Sequence, residues 1–201
     1  TAQIMDDPEQ DTETRESLNG IINTVDRLER WTGALLAYLH PLRPQCSDTT
    51  MREIVEGALA PLQQKIAAKS IQLTLPDWPK AGAQKSDGIY TDQHLLEQVI
   101  YNLLLNATDA SEQSGPIEIQ LQIAHDKITL HLMDRGSGMP FTPDPSAISA
   151  PSTKRFGTGL GIPFAFKVCD ALGGELQFTS RSGGGTIITI TLPKSLNLSA
   201  A

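Results

Sequence analysis

Apolar residues recur along this chain with two periods, and the switches between them mark out its elements. Leu18, Ile21, Val25, Leu28, Thr32, Leu35 and Leu39 alternate spacings of three and four, a heptad seam on one long helix. Arg27, Glu29 and Arg30 lie off that seam, as solvated positions should, and Pro41 and Pro44 end the helix. A seam of this length needs partner helices, so it predicts part of a helical hairpin that dimerises. Residues 1–16 before it are acidic and broken by Pro8, a helix end followed by a loop. Cys46 to Thr49 read as a short linker. Thr50 and Glu53 then form a capping box for a helix whose apolar face is Met51, Ile54, Val55, Ala58, Leu59, Leu62 and Ile66. Pro61 is expected to kink that helix, with Gly57 relieving the crowding four residues earlier.

The second half alternates strands and helices. Ile71–Leu75 has a strand's period of two, and Pro76 and Pro79 bracket a turn. Asp92–Ala110 is a core helix, with Leu96, Val99, Ile100, Leu103, Leu104, Ala107 and Ala110 on a broad apolar arc. Ile117–Ile123 and Lys127–Met133 form a hairpin around His125-Asp126, and residues 139–157 are a long Pro- and Ser-rich loop. Pro163 suits the start of a helix ending at Gly173-Gly174. Glu175–Thr179 and Thr186–Leu192 make the last hairpin, joined by Gly183–Gly185. Strands that pair mostly as hairpins, with helices between, predict an α/β (α+β) two-layer sandwich: one mixed sheet with helices on one face, preceded by a long helix.

Composition narrows the function classes. The chain has 201 residues and a formal net charge of −7, without a Lys/Arg run, which argues against a nucleic-acid surface. Cys46 and Cys169 have neither CxxC spacing nor neighbouring histidines, so they read as reduced thiols of a cytosolic protein rather than metal ligands. No apolar run approaches membrane-spanning length. The chain opens at Thr1 in what reads as the tail of an element, as an excised piece of a larger protein would.

Three stretches carry chemistry. On the 92–110 helix, winding by about 100° per residue from Asn102 puts Asn106 at roughly 40° and Asp109 at roughly −20°, one narrow polar stripe. The helix alone leaves open whether these are solvated side chains or ligands. Asp134-Arg-Gly-Ser-Gly-Met139 follows the first hairpin; Gly136 and Gly138 allow a tight turn, and a carboxylate at a strand end can accept from an exocyclic amine. The long loop ends in Thr153-Lys-Arg-Phe-Gly-Thr-Gly-Leu-Gly-Ile162 at a helix start, where glycine N–H groups make an anion cradle with Lys154 in reach.

In that order, NLLLNATDA, DRGSGM, a loop, GTGLGI and a terminal GGGT resemble the ATP-binding domain of the GHKL superfamily, and of sensor histidine kinases in particular. The resemblance covers residues 48–193, and the heptad helix closing in LAYLHPLRP resembles the second helix of those kinases' dimerisation and phosphoacceptor hairpin. It implies a partial hairpin over 1–47, an ATP-binding catalytic domain over 48–194 and a tail over 195–201. It further implies Mg²⁺ on Asn106, adenine read by Asp134 beside Gly136 and Gly138, and the Thr186 hydroxyl nearby. The phosphates would lie in a cradle of Lys154, Gly157, Thr158, Gly159, Leu160 and Gly161. Gyrase-like relatives carry a glutamate where this chain has Asn102, and a neutral amide cannot take a proton from water. Asn102, Asn106 and Lys154 thus fit phosphoryl transfer to a histidine, with a response-regulator receiver domain as the next acceptor. The implied protein is a homodimer in the cytoplasm, attached to membrane only through other regions.

The chain also departs from the pattern. Sensor kinases present the acceptor histidine before an acidic residue, with Pro-Leu a few residues on, and no such string occurs here. His40 precedes Pro41 at a helix end, and His94, His125 and His131 lie in the catalytic domain. The acceptor is therefore expected before Thr1, leaving this fragment unable to phosphorylate itself. Ala150-Pro151 stands where relatives often carry paired phenylalanines. That motivates one alternative, a nucleotide-binding relative without kinase activity; an anti-sigma-type serine kinase is another, which the heptad helix disfavours.

Overall fold

A computed structural model of the chain describes residues 42–79, 87–146 and 159–195. The heptad helix and the segment with Lys154, Gly157 and Thr158 lie outside the described residues.

The expected linker at Cys46–Thr49 is instead a strand. Ser47–Thr50 (β1) pairs antiparallel with Gly88–Thr91 (β3), Ser47 opposite Thr91 and Thr50 opposite Gly88. The sequence SDTT is wholly polar, so no hydrophobic alternation marked it; backbone pairing with β3 and the hydroxyl contacts of Thr49 and Thr50 hold it in place. The predicted capping box then opens Met51–Leu59 (α1): Glu53 N donates to Thr50 Oγ1 at 3.2 Å, and Thr50 N to Glu53 Oε2 at 3.0 Å. Asp87 completes the cap from a distance, its carbonyl accepting from Met51 N at 3.0 Å and its carboxylate from Arg52 N at 3.3 Å.

Pro61 interrupts the helix as expected. Ala60–Leu62 tightens into a 3₁₀ turn before Gln63–Ala68 (α2), because proline has no N–H to donate. Gly57 also faces a neighbour on another helix. A Cβ there would sit 2.6 Å from Glu97 Oε1, so the missing side chain leaves room for the flexible end of Glu97 on the neighbouring helix.

That helix, Gln93–Ala110 (α3), begins at the N-cap Asp92, whose Oδ1 accepts from Leu95 N at 3.1 Å. At its other end Lys69, just after α2, donates to the carbonyls of Thr108, Asp109 and Ser111 at 2.8, 3.1 and 2.9 Å. A cation on the unsatisfied carbonyls of a helix C-terminus is favourable both as a donor and against the helix dipole.

The main sheet runs Gln72–Thr74 (β2), Pro116–Ile123 (β4), Lys127–Asp134 (β5), Thr186–Pro193 (β7) and Glu175–Ser180 (β6), in the order β2-β4-β5-β7-β6. Only β2 and β4 are parallel, so the sheet is mixed, as predicted. Its two faces differ sharply. Ile117, Ile119, Ile128, Leu130, Leu132, Ile188, Ile190 and Leu192 are buried, whereas the intervening Gln120, Thr129, His131, Thr189 and Thr191 are half-buried or exposed. Gly161–Ala171 (α4) adds Phe164, Ala165 and Val168 to the core with Leu96, Val99, Ile100 and Leu103 of α3. Each such buried side chain contributes about 1.5–3 kcal/mol, which makes this face the principal source of stability. Among the described residues no helix is long and apolar enough to cross a membrane. Both cysteines are free thiols, that of Cys169 pushed up to about 12 by burial.

Candidate functional site

At the end of β5 the alternation places Asp134 on the apolar side of the sheet, where it is 4% exposed. Two backbone donors reach the same carboxylate oxygen: Gly136 N lies 2.8 Å and Thr186 N 3.3 Å from Oδ1. Burial pushes the carboxyl above its ordinary range, and these N–H groups with nearby Arg181 only partly offset it. A carboxylate kept here at a cost in desolvation, with one oxygen already committed, has a fixed orientation for whatever meets Oδ2.

The surrounding backbone needs its glycines. A Cβ on Gly136 would collide with the Ala110 carbonyl, and Ser137 N donates to that same oxygen at 3.3 Å, so the DRGSG turn rests on the C-terminus of α3. On the other side, Gly183, Gly184 and Gly185 have φ of 83°, 102° and 98°. A side chain on Gly185 would drive into the Asp134 carbonyl. Arg181 closes this corner, donating to Glu118 Oε1 at 2.7 Å and to the Asp134 carbonyl at 3.4 Å. Nothing in the sequence singled out Arg181, since it is one basic residue in a turn.

Asn102 and Asn106 lie half-buried, one turn apart on α3. The start of α4 packs over the first of them: a Cβ on Gly161 would sit 3.8 Å from Asn102 Cβ, ordinary contact distance. Leu160, at the N-cap of α4, has no side-chain acceptor, in contrast to Thr50 and Asp92 on the other two long helices. Gly159 before it has φ of 68°. Two clusters thus bracket one stretch of α3. Gly161 meets it at Asn102, and the turn through Gly136 and Ser137, which with Thr186 holds Asp134, meets it at Ala110, about 12 Å further along at 1.5 Å per residue. Asn106 stands between them.

The third member of the polar stripe behaves differently. Asp109 Oδ1 pairs with Lys65 Nζ on α2 at 2.5 Å, which gives it a structural role. Thr186 takes part through its backbone N–H in addition to any use of its hydroxyl.

A family model for the histidine kinase-, DNA gyrase B-, and HSP90-like ATPase matches residues 91–196. The sensor histidine kinase ZraS of Klebsiella oxytoca is 30% identical over 171 residues, an alignment that covers 84% of this chain and 36% of ZraS. Among solved structures, the nucleotide-free catalytic domain of histidine kinase ThkA is similar with a TM-score of 0.64 at 22% identity, over 76% of this chain and 99% of that one. ThkA in complex with the response regulator TrrA gives 0.66 at 23% identity, over 96% of this chain and 54% of that one. These likenesses bear out the two-layer fold. The chain spans about a third of the length of the curated relative, at 36%.

Proposed function

Because this chain belongs to the histidine kinase-, DNA gyrase B-, and HSP90-like ATPase family, we propose that it is the ATP-binding catalytic region of a sensor histidine kinase. In the complete protein it transfers the ATP γ-phosphoryl group to a histidine of an acceptor hairpin, from which a response-regulator aspartate receives it. The observation that carries this reading is the pairing of a buried, orientation-locked Asp134 at one end of an α3 segment with a neutral Asn102 at the other.

Each group has a part in that chemistry. Asp134 Oδ2 accepts from the adenine amine and repels the carbonyl of guanine. Gly136 and Gly138 let the base approach the backbone, and Thr186 helps to hold the carboxylate that reads it. The phosphates would be held by Gly159, Leu160 and Gly161 at the start of α4, where no side chain caps the helix, with Lys154, Gly157 and Thr158 as the further cradle residues that the family resemblance implies. The Asn106 amide oxygen is a hard donor of the kind Mg²⁺ takes together with phosphate oxygens and water. When bound, that ion neutralises charge on the phosphates. Asn102 cannot deprotonate water, so the site lacks the base that hydrolysis requires. Transfer to an imidazole, already a nucleophile near neutral pH, needs mainly positioning and charge neutralisation. The dimerisation hairpin would bring two copies together as a homodimer.

The test is calorimetry with Asn106→Ala. Affinity for ATP in Mg²⁺ should fall at least tenfold, with little change when the metal is chelated. Unchanged affinity in Mg²⁺ would remove Asn106 from the site.

A further inference from the structure

Arg181 joins the two turns between which the Asp134 carboxylate is held. Its backbone belongs to the turn between β6 and β7. Arg181 N donates to the Gly185 carbonyl at 3.0 Å, and Gly184 N donates to the Arg181 carbonyl at 3.1 Å. That turn faces the one after β5. A Cβ on Gly184 would sit 3.7 Å from the Gly136 carbonyl oxygen, and one on Gly138 3.6 Å from that of Gly185. Thr186, the first residue beyond the turn, then donates its N–H to Asp134 Oδ1.

The Arg181 side chain leaves in another direction. Nη2 donates to Glu118 Oε1 at 2.7 Å and Nη1 to the Asp134 carbonyl at 3.4 Å. Glu118 stands between the buried Ile117 and Ile119 on β4, so it lies on the opposite face of the sheet from them. Ile117 is the register partner of Asp134, whose carboxylate therefore shares the core face. The guanidinium grips the end of β5 from the face opposite that carboxylate, at 15% exposure, where water screens the pair little. Two nitrogens in one rigid fork suit this double task, whereas a lysine ammonium is a single point charge.

We infer that Arg181 is a positioning residue for base recognition: anchored on Glu118, it clamps the β6–β7 turn to the end of β5 and so aims the Asp134 carboxylate at the adenine. This inference rests on the nucleotide reading above and assigns Arg181 no contact with the nucleotide. Charged groups on the neighbouring elements are Glu118 on β4, Arg135 after β5 and, on α3, Asp109, which Lys65 engages. Burial raises the Asp134 carboxyl, and the Gly136 and Thr186 N–H groups and then Arg181 hold it down. Without Arg181 it rises further.

The experiment is titration calorimetry of ATP and GTP across pH, with the full chain as wild type, Arg181→Met and Glu118→Gln, and thermal melting to establish folding. Arg181→Met should lower the ATP-to-GTP affinity ratio about tenfold, the weight of one lost charged hydrogen bond. A protonated Asp134 turns a hydrogen toward the adenine amine, so ATP affinity falls in acid, and in Arg181→Met that fall should begin at a higher pH. Glu118→Gln keeps Arg181 but weakens its anchor, and should lower the ratio about threefold. A folded Arg181→Met with the ratio within twofold of wild type, or with the acid step unmoved, would overturn the inference; equal losses for ATP and GTP are the mark of a purely structural role. If Arg181→Met does not fold, an unchanged ratio in Glu118→Gln overturns it. An unchanged ratio in Asp134→Asn would instead remove the adenine reading and, with it, this one.

Discussion

Asp134→Asn exchanges one atom at the site and leaves the framework in place. Gly136 N and Thr186 N both donate to Oδ1, so the asparagine must present its amide oxygen to them. Its NH₂ is then forced into the position of Oδ2, turning an acceptor into a donor. Against adenine this removes a charge-assisted hydrogen bond and opposes two donors. Against guanine it offers a partner to the ring carbonyl. The lost bond and the new unsatisfied donor together amount to about 3 kcal/mol, roughly a hundredfold change in the ATP-to-GTP affinity ratio. Titration calorimetry of both nucleotides with wild type and variant measures that ratio directly, with thermal unfolding as a control that the variant is folded. A ratio within threefold of wild type would refute the assignment of Asp134 as the adenine reader.

The same geometry predicts a pH dependence. Oδ1 is committed to two N–H groups, so protonation of the carboxyl puts the hydrogen on Oδ2 and mimics the asparagine. Since burial raises this group above the ordinary carboxylate range, ATP affinity should fall in mild acid as the pH drops through that raised value. The asparagine variant should lack this step. Stability runs the other way. A raised folded-state pKa means that the folded domain prefers the protonated form, so the stability contributed by Asp134 is fully present below its unfolded pKa and is lost as pH rises through the folded one. Without nucleotide, Asp134→Asn should therefore gain stability over wild type as pH rises to neutrality, as expected of a buried charge kept for the proposed adenine contact rather than for the fold.

Two substitutions away from the nucleotide test the framework. Lys69→Met keeps the aliphatic stem but deprives three carbonyls at the end of α3 of their donor; urea unfolding should show a loss of about 2 kcal/mol, and a loss below 0.5 kcal/mol would make the contact incidental. Thr91, 2% exposed on β3, is the one described residue with a buried side-chain oxygen lacking a hydrogen-bond partner. Thr91→Val, nearly the same shape without the hydroxyl, should gain about 1 kcal/mol; destabilisation by calorimetric melting would show that the hydroxyl has a role.

The parts of the fold legible in the sequence are those where burial alternates. Ile117–Ile123, Lys127–Met133 and Thr186–Leu192 each face a core on one side and water or polar neighbours on the other, so their period of two survives in the residue order. Ser47–Thr50 is wholly polar and shows no such pattern, and Gly88–Thr91 alternates in burial over only four residues, with the polar Thr91 at one of its buried positions, so neither strand announces its pairing. Gly57 shows a related gap: its spacing from Pro61 pointed to relief within its own helix, while a second neighbour, the Glu97 side chain, lies forty residues on.

The site divides along the same line, and α3 shows why. Asn102 and Asn106 stood out because amides beside a wide apolar arc are an anomaly that a helical wheel exposes, yet the wheel placed Asp109 in the same stripe, and Asp109 pairs with Lys65. Angular position on one helix ranks candidates; it does not show which of them, like Asp109 with Lys65, an adjoining helix engages. The glycines carried a second kind of signal, since residues at positive φ or in backbone contact tolerate little else: Gly136 against Ala110 and Gly185 against Asp134 are close approaches that a Cβ would prevent. What neither signal holds is a side chain with two simultaneous duties. The cap at Asp92 is visible in its place before Leu95 and Leu96, but its second oxygen is directed at Gln45, and only the folded chain brings that donor to it. A residue identity that a local role already explains conceals a distant one, which is why the contact between Gln45 and Asp92 had to be found in three dimensions.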